Sequence, residues 1–334
     1  MLVKSAPEVE ITCVPIERRN SAELPYEAFI REYVIKNRPV IIENAMPGWN
    51  ALRAWTPEFF KTKFGSQVVD VTYGGVKMTM ADLIDAVFAS TPEKPGPYLH
   101  KVIIFQDMPR LLADLAPENQ YAFPRRYCSP LMPKHFRRPD GYLKLLIGGV
   151  GGKFPLIHFD GDNANALISE IYGDKEFVLF SPEDTPYIYP HPGAGTTSQI
   201  DNLANPDLDR FPLLAKATQF RGIIGPGETV FVPAKWWHSA RVVTTSISVC
   251  TNMIDGSNWS GFIEEACNPR TVKSAPVRAA KRAYLTAAGW VMNAAEGIQR
   301  TFPNGGLASV ASSISPLTSL DGARPQMILE RAQA

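Results

Sequence analysis

A histidine and an aspartate two residues apart, His158 and Asp160, form the first half of a candidate metal site. They stand at the end of a predicted strand. Alternate side chains of a strand project from one face, so both can reach one ion while Phe159 packs behind them. A third candidate ligand, His238, stands just after another predicted strand. Two imidazoles and one carboxylate form a facial triad that leaves three coordination positions open and favours Fe(II), although Co(II), Ni(II) and Zn(II) also bind such ligands.

The segment around His238 makes this hypothesis specific. A His-x-Asp tripeptide alone occurs often by chance, and a lone histidine on a strand is usually structural. Here a turn and a short strand, Gly225–Pro233, are followed by Trp236, Trp237 and His238. The four cysteines, in contrast, lack the Cys-x-x-Cys spacing of a thiolate zinc site.

These motifs resemble those of the JmjC and cupin-like Fe(II)/2-oxoglutarate oxygenases, and within that family the pattern is most similar to the asparaginyl hydroxylases. The resemblance covers roughly residues 20–255 and is densest over 173–252. It implies a mainly β fold, a double-stranded β-helix (jelly roll) with N-terminal α/β elements and C-terminal helices around it. It also implies His158, Asp160 and His238 as metal ligands, Fe(II) as cofactor, and 2-oxoglutarate and O2 as cosubstrates.

Lys175 precedes an apolar strand, Phe177–Phe180, where an inward-pointing cation is costly unless an anion meets it. The resemblance supplies that anion, because this lysine in the family pairs with the distal carboxylate of 2-oxoglutarate. The alternative is a strand-end lysine that reaches back to water. By the same resemblance, Tyr98 helps to hold that carboxylate and Asn252 lies near the cosubstrate, although Asn252 could also be a strand-end turn residue.

One position departs from the family pattern. Three residues before the first ligand, the family commonly has a Thr or Ser that donates to the cosubstrate carboxylate, and this chain has Pro155. Either another hydroxyl compensates, from Tyr98, Ser246 or Ser248, or 2-oxoglutarate is held differently.

The elements around these motifs change along the chain. The N-terminal part alternates predicted helices, such as Ser21–Ile35 and those starting at Thr56 and Thr79, with short strands. From about 142 to 253, short apolar runs separated by Gly, Pro and Asp turns predict a β-sheet core. We therefore predict an oxygenase domain over 1–255, a helical segment over 256–302 and a loosely ordered tail over 303–334.

The C-terminal segment contains a predicted helix, Pro276–Gly297, with many small residues beside Tyr284 and Trp290. Small residues allow close helix packing, and members of the family often dimerise through such helices. We expect either a homodimer through this helix or packing of the helix against the chain's own β-core.

Composition excludes several classes of protein. The chain has 334 residues, and 34 Lys and Arg nearly balance 33 Asp and Glu, so no basic field predicts a nucleic-acid partner. No apolar run approaches the roughly 20 residues that span a bilayer, so no membrane partner is expected. The start lacks the layout of a signal peptide, which predicts a cytoplasmic location.

Two functions remain open from the sequence. The first is a dioxygenase that hydroxylates a C–H bond of a protein or peptide side chain, or of a small metabolite, and releases succinate and CO2. The second is a non-oxidative cupin, a metal-dependent binding protein or isomerase that keeps the triad without the cosubstrate. Pro155 favours the second function and Lys175 opposes it.

Overall fold

Two main β-sheets, a small two-stranded sheet and the helices around them make up the computed structural model. It describes residues 11–71, 75–122, 126–134, 136–137, 143–154, 157–193, 195–201, 203 and 206–301. The strands are β1 (Cys13–Pro15), β2 (Arg18–Asn20), β3 (Val40–Glu43), β4 (Val68–Asp70), β5 (Lys77–Thr79), β6 (Tyr98–Ile103), β7 (Leu143–Gly148), β8 (Asn165–Tyr172), β9 (Lys175–Phe180), β10 (Gln219–Ile224), β11 (Thr229–Val232), β12 (Trp237–Val242) and β13 (Ser246–Met253).

The first five helices alternate with strands β2 to β7 along the chain, and the last two follow β13. They are α1 (Tyr26–Phe29), α2 (Ala51–Ala54), α3 (Pro57–Phe64), α4 (Met80–Phe88), α5 (Ile104–Asp107), α6 (Trp259–Ala266) and α7 (Ala275–Thr301). Single 3₁₀ turns and longer 3₁₀ segments are found at Ser21–Glu23, Pro109–Leu115, Arg126–Cys128, Pro182–Tyr187 and Pro212–Lys216, and the π-helical segment Ile30–Val34 continues α1.

The two main sheets are mostly antiparallel and face each other. One has four strands in the order β1-β10-β9-β12, and the other has seven in the order β2-β3-β11-β8-β13-β7-β6. Buried apolar side chains from both sheets meet in one cluster between them, including Leu146 from β7 and Phe177 and Leu179 from β9. This arrangement confirms the predicted mainly β, jelly-roll fold.

Alternation along the strands gives the seven-stranded sheet two different faces. Leu145 and Ile147 of β7 pack into a cluster with the N-terminal helices, whereas Leu146 between them faces the four-stranded sheet. The same alternation holds on β8, where Leu167 faces the helices and Ile168 faces the other sheet. Every second residue of these strands therefore projects into the space between the sheets, which we call the jelly-roll interior.

A tight turn at Gly173 joins β8 to β9. Gly173 has a φ of +72°, and a Cβ there would lie 1.9 Å from the carbonyl oxygen of Thr245. Only glycine fits both constraints. The turn allows the chain to leave the large sheet and enter the small one within three residues.

The N-terminal predictions hold in part. Thr56 and Thr79 cap α3 and α4 as expected, each through a side-chain oxygen that accepts a backbone N–H at 3.1 Å. The prediction of one helix over Ser21–Ile35 is wrong, because the segment divides into a 3₁₀ turn, α1 and the π-helical segment. Pro25, just before α1, has no N–H to donate to a continuous helix.

Two β predictions also need correction. The strand predicted to end at His158 and Asp160 is reduced to a β-bridge at His158, and residues 155–156 lie outside the described residues. His238 lies within β12 instead of just after a strand. The polar residues Ser239 and Arg241 interrupt the apolar run of β12, so that hydrophobicity alone does not reveal this strand.

The C-terminal helices pack on the sheet domain through buried polar and apolar contacts. The Arg126 guanidinium is fully buried, donates to Glu296 of α7 and lies 5.0 Å from the ring of Trp259 of α6. Within the described ranges, no helix is long and apolar enough to cross a bilayer. The predicted tail, 303–334, lies outside the described residues, and the predicted domain boundaries stay predictions.

Candidate metal centre

The three predicted ligands meet at the edge of the four-stranded sheet. Ligand atoms of His158, Asp160 and His238 all lie within 4.8 Å of one another. A β-bridge joins the two histidines: the His158 N–H donates to the His238 carbonyl at 3.1 Å, and the reverse bond is 2.7 Å. The ring centroids are consequently 4.3 Å apart.

His238 is held in the tautomer that a metal needs. Its Nδ1 lies 3.0 Å from the Trp236 carbonyl oxygen, which can only accept, so Nδ1 carries the proton and Nε2 is left with its lone pair. A second hydrogen bond of this kind is typical of metal-binding histidines.

Asp160 is oriented by a chain of two hydrogen bonds. Asn252 donates through Nδ2 to Asp160 Oδ2 at 3.1 Å, and Lys144 donates through Nζ to Asn252 Oδ1 at 3.1 Å. The other carboxylate oxygen, Oδ1, faces His158 Nε2 at 3.9 Å. One oxygen is thus used for positioning and the second is directed at the site.

The loop that follows the 3₁₀ segment Pro182–Tyr187 supports the ligand segment from its other side. The Phe159 N–H donates to the Thr196 carbonyl at 3.1 Å, and Ser198 N–H donates to the Ile157 carbonyl at 2.8 Å. Phe159 packs edge-on against Trp237, as the alternation predicted. His158 and Asp160 side chains stay 17% and 25% exposed, so the site is open to solvent on one side.

Lys175 and Tyr98 lie together in the jelly-roll interior. Lys175 is 1% exposed, which excludes the alternative in which it reaches back to water. Its ammonium donates to Ser248 Oγ and lies 5.7 Å from the centroid of the Tyr98 ring. Burial raises the pKa of the Tyr98 hydroxyl, so this group stays a neutral donor.

The sequence motifs did not indicate Glu170 in the interior, nor Lys144 behind Asn252. Glu170 is fully buried on β8, with one oxygen 3.5 Å from the Lys175 ammonium and the other accepting from Ser246. Alternation from Ile168, which faces the interior, would have identified it. Burial would lower the pKa of Lys175, but attraction by Glu170 and contact with Tyr98 raise it above its ordinary value, so the lysine stays charged.

The structure therefore places the predicted residues in two groups. His158, Asp160 and His238 form one group with Asn252, which contacts a ligand. Lys175 and Tyr98 form the second group with Ser248, one of the hydroxyls named as compensating for Pro155. Pro155 itself lies outside the described residues.

The donor set of the first group fits Fe(II). Two neutral imidazoles and one carboxylate are the facial arrangement of non-haem iron sites, and the open side leaves coordination positions for other ligands. The second group is polar and buried, with a cation and hydroxyl donors that suit a carboxylate.

We predict that Asp160→Asn weakens Fe(II) binding by orders of magnitude, because the carboxylate is the one ligand of the triad that offsets metal charge. The thermal midpoint without metal should change little, since Asp160 is partly exposed and the new amide oxygen can still accept from Asn252. Anaerobic calorimetric titration with Fe(II) and thermal unfolding of the metal-free protein check the two parts.

Asp162→Asn is the matched control. Asp162 is an exposed carboxylate two residues along the same loop, so its variant loses the same charge and should bind Fe(II) like wild type. If Asp160→Asn also binds Fe(II) with wild-type affinity, the facial-triad assignment is wrong.

Comparisons with known proteins agree with this geometry. A family model described as a cupin-like domain matches residues 25–254. Lysine-specific demethylase 8 of Xenopus tropicalis is 25% identical over 234 residues, which are 67% of this chain and 49% of that protein. Jumonji C domain-containing protein 5 of Drosophila melanogaster is 26% identical over 227 residues, 64% of this chain and 53% of that protein. HSPB1-associated protein 1 of Homo sapiens is 35% identical over 159 residues, 45% of this chain and 29% of that protein.

The family match extends over more than half of the chain, although the chain spans only about half the length of the curated relatives it matches. The matched region contains the triad and the interior polar group, and Jumonji C is named among the relatives. The nearer likeness to asparaginyl hydroxylases stays a prediction. The jelly roll, the His-Asp-His group and the family match together assign the chain to the JmjC and cupin-like family of Fe(II)/2-oxoglutarate-dependent oxygenases.

Proposed function

We propose that this protein is an Fe(II)- and 2-oxoglutarate-dependent dioxygenase that hydroxylates a C–H bond of its substrate and releases succinate and CO2. One observation supports this above the others. A His-Asp-His group that suits Fe(II) opens to solvent, and a buried lysine that suits a carboxylate lies in the adjoining interior.

The residues of the triad have separate tasks in this proposal. His158, Asp160 and His238 would hold the iron, which together with 2-oxoglutarate supplies the oxidising chemistry. The Trp236 carbonyl keeps the proton of His238 on Nδ1, away from the metal. Asn252 fixes one Asp160 oxygen so that the other keeps its direction toward the site.

The interior group would hold the distal carboxylate of 2-oxoglutarate. Lys175 contributes a charged donor, and Ser248 and Tyr98 add hydroxyls around it. Ser248 and Tyr98 take the place of the Thr or Ser that Pro155 replaces. Because this group is buried, water competes little for the donors, and their bonds to a carboxylate are stronger than at the surface.

For the substrate, we favour a protein side chain over a small metabolite. Two of the relatives that match over about two thirds of this chain are named lysine-specific demethylase 8. Removal of an N-methyl group can begin with hydroxylation of its C–H bond, so this activity and a simple hydroxylation need the same site. Peptide and metabolite profiling under 18O2 distinguishes the two substrate classes.

A non-oxidative cupin is the competing function. It would keep the triad but have no use for the buried Lys175–Glu170 pair in the adjoining interior, since desolvation of such a pair can cost more than its attraction returns. Lys175 therefore argues against it, and the test below separates the two.

We predict that wild-type protein with Fe(II) converts 2-oxoglutarate to succinate only in the presence of O2. Lys175→Met, which keeps the length of the aliphatic chain, should retain metal binding and raise the 2-oxoglutarate Kd at least about tenfold, since a charge-assisted hydrogen bond contributes about 1.5–3 kcal/mol. Succinate release and calorimetric titration measure the two effects.

Lys153→Met is the control for loss of a lysine. Lys153 binds the Asp201 carbonyl at the surface, so its variant should behave like wild type. Absence of Fe(II)-dependent succinate release with every substrate tried, together with no 2-oxoglutarate binding, would favour the non-oxidative cupin.

We also propose a homodimer through α7. The inner face of this helix packs through Leu285, Ala288 and Met292 in one cluster with Trp259 and Phe262 of α6. The outer face keeps Val277, Tyr284 and Val291 exposed at seven-residue intervals, and Trp290 beside them is 72% exposed. Apolar side chains at this spacing are typical of helix pairing.

Light scattering at micromolar concentration should give a dimer for wild type and a monomer for Trp290→Glu. Phe88→Glu is a control, because Phe88 is likewise an exposed apolar side chain but belongs to helix α4. A wild-type monomer would contradict the proposal. The cytoplasmic location and the absence of nucleic-acid and membrane partners also stay predictions.

A further inference from the structure

The residue that the proposed mechanism leaves unused is Glu170. It is 0% exposed and projects into the jelly-roll interior from β8, opposite Lys175 of β9, which is 1% exposed. Its Oε2 lies 3.5 Å from the Lys175 ammonium but accepts no hydrogen bond from the part of the chain that the structure describes. The lysine instead donates to Ser248.

This pair creates a charge conflict for the proposed cosubstrate. The positive charge of Lys175 is already neutralised by the carboxylate of Glu170, and both side chains are shielded from solvent. A second carboxylate that arrived at Lys175 would lie beside an ionised Glu170, and two carboxylates that share one buried site do not both stay ionised. A proton on Glu170 removes the repulsion and turns the unsatisfied Oε2 into a hydroxyl donor that can meet the incoming carboxylate.

We propose that Glu170 is a cosubstrate-binding residue, which takes up one proton when the distal carboxylate of a dicarboxylic 2-oxo acid binds at Lys175. The inference rests on the proposed function, because it assumes that 2-oxoglutarate occupies this interior. It adds a pH dependence to binding that the lysine alone would not produce.

The surroundings of Glu170 make this proton available near neutral pH. Burial raises the pKa of Glu170 to about 7, although attraction by Lys175 and the hydrogen bond from Ser246 oppose the rise. Asp174, in the turn after β8, raises it further. The neighbouring Glu228, just before β11, directs its carboxylate to Arg18 and the Gly225 N–H. The other titratable or hydroxyl groups near the pair are Tyr98 on β6 and Ser246, Ser248 and Cys250 on β13.

The sign of the effect follows from proton linkage. Below about pH 6, free Glu170 is mostly neutral, binding takes up little proton, and the Kd for 2-oxoglutarate is flat with pH. Above the pKa, binding must recruit a proton, so the Kd rises by up to about tenfold for each pH unit. The affinity should therefore be greatest on the acidic side of neutrality, within the range where the metal stays bound.

The test is calorimetric titration of 2-oxoglutarate into the Mn(II)-loaded protein between about pH 6 and pH 8.5. Repeating each titration in buffers of different ionisation enthalpy counts the protons taken up. Wild type should take up close to one proton at about pH 8.5, with the rise in Kd given above. Glu170→Gln should take up none, show a pH-independent Kd, and bind at least about tenfold more tightly than wild type at about pH 8.5.

Glu176→Gln is the matched control. Glu176 follows Lys175 on β9, but its carboxylate faces outward and pairs with Arg241, so this variant should keep the wild-type proton uptake. A monocarboxylic 2-oxo acid such as 2-oxobutyrate is a second probe. It leaves the Glu170–Lys175 pair undisturbed, so its binding to wild type should not take up a proton at Glu170.

The outcomes separate the two proposals. Tight 2-oxoglutarate binding with a flat Kd and no proton uptake by wild type would overturn the role of Glu170 and leave the proposed function standing. No metal-dependent binding of 2-oxoglutarate at any pH would overturn both. If Glu170→Gln does not fold, the number of protons that wild type takes up on binding 2-oxoglutarate still tests the role of Glu170: one proton supports it and none contradicts it.

Discussion

The hydrogen-bonded pairing of His158 with His238 is the interaction on which the site depends. Two main-chain bonds, of 3.1 and 2.7 Å, place the two residues directly opposite each other, so the imidazoles meet without support from a long strand. Because Asp160 follows two residues later, the same pairing also fixes the carboxylate on the shared face. The rest of the sheet, the turn before β12 and the loop that contacts Phe159 keep this short bridge in register.

The second constraint is the polar content of the jelly-roll interior. A lysine and a glutamate are buried between two sheets whose other inward residues are largely apolar. Desolvation of such a pair often costs more than its attraction returns, so its presence argues for a use other than stability. Ser248 accepts from Lys175 and Ser246 donates to one Glu170 oxygen, while the other oxygen has no donor among the described residues. A polar group that is incompletely satisfied in a core is typical of a binding site, where a ligand completes it.

Much of this could be predicted from the sequence, since the ligand motifs are local and strand alternation is a short-range rule. The shared face of His158 and Asp160 could be predicted from that rule alone, and the helix caps at Thr56 and Thr79 from the residue types alone. Glu170 was not predicted because it stands in a largely apolar segment. Its partner, Lys175, lies beyond a turn whose geometry depends on Gly173, so their contact is not evident from the sequence. β12 was not predicted because the polar Ser239 and Arg241 interrupt its apolar pattern, although pairing with β9 stabilises it as a strand. Both the Glu170–Lys175 contact and strand β12 depend on contacts between distant parts of the chain, which a single sequence does not show.

The most direct measurement of the central claim is an anaerobic crystal structure of the full chain with Mn(II) and 2-oxoglutarate. The account predicts one ion bound by His158, Asp160 and His238, and the distal carboxylate of 2-oxoglutarate against Lys175 within hydrogen-bonding distance of Glu170. Metal bound elsewhere, or 2-oxoglutarate that leaves the Glu170–Lys175 pair untouched, would contradict it.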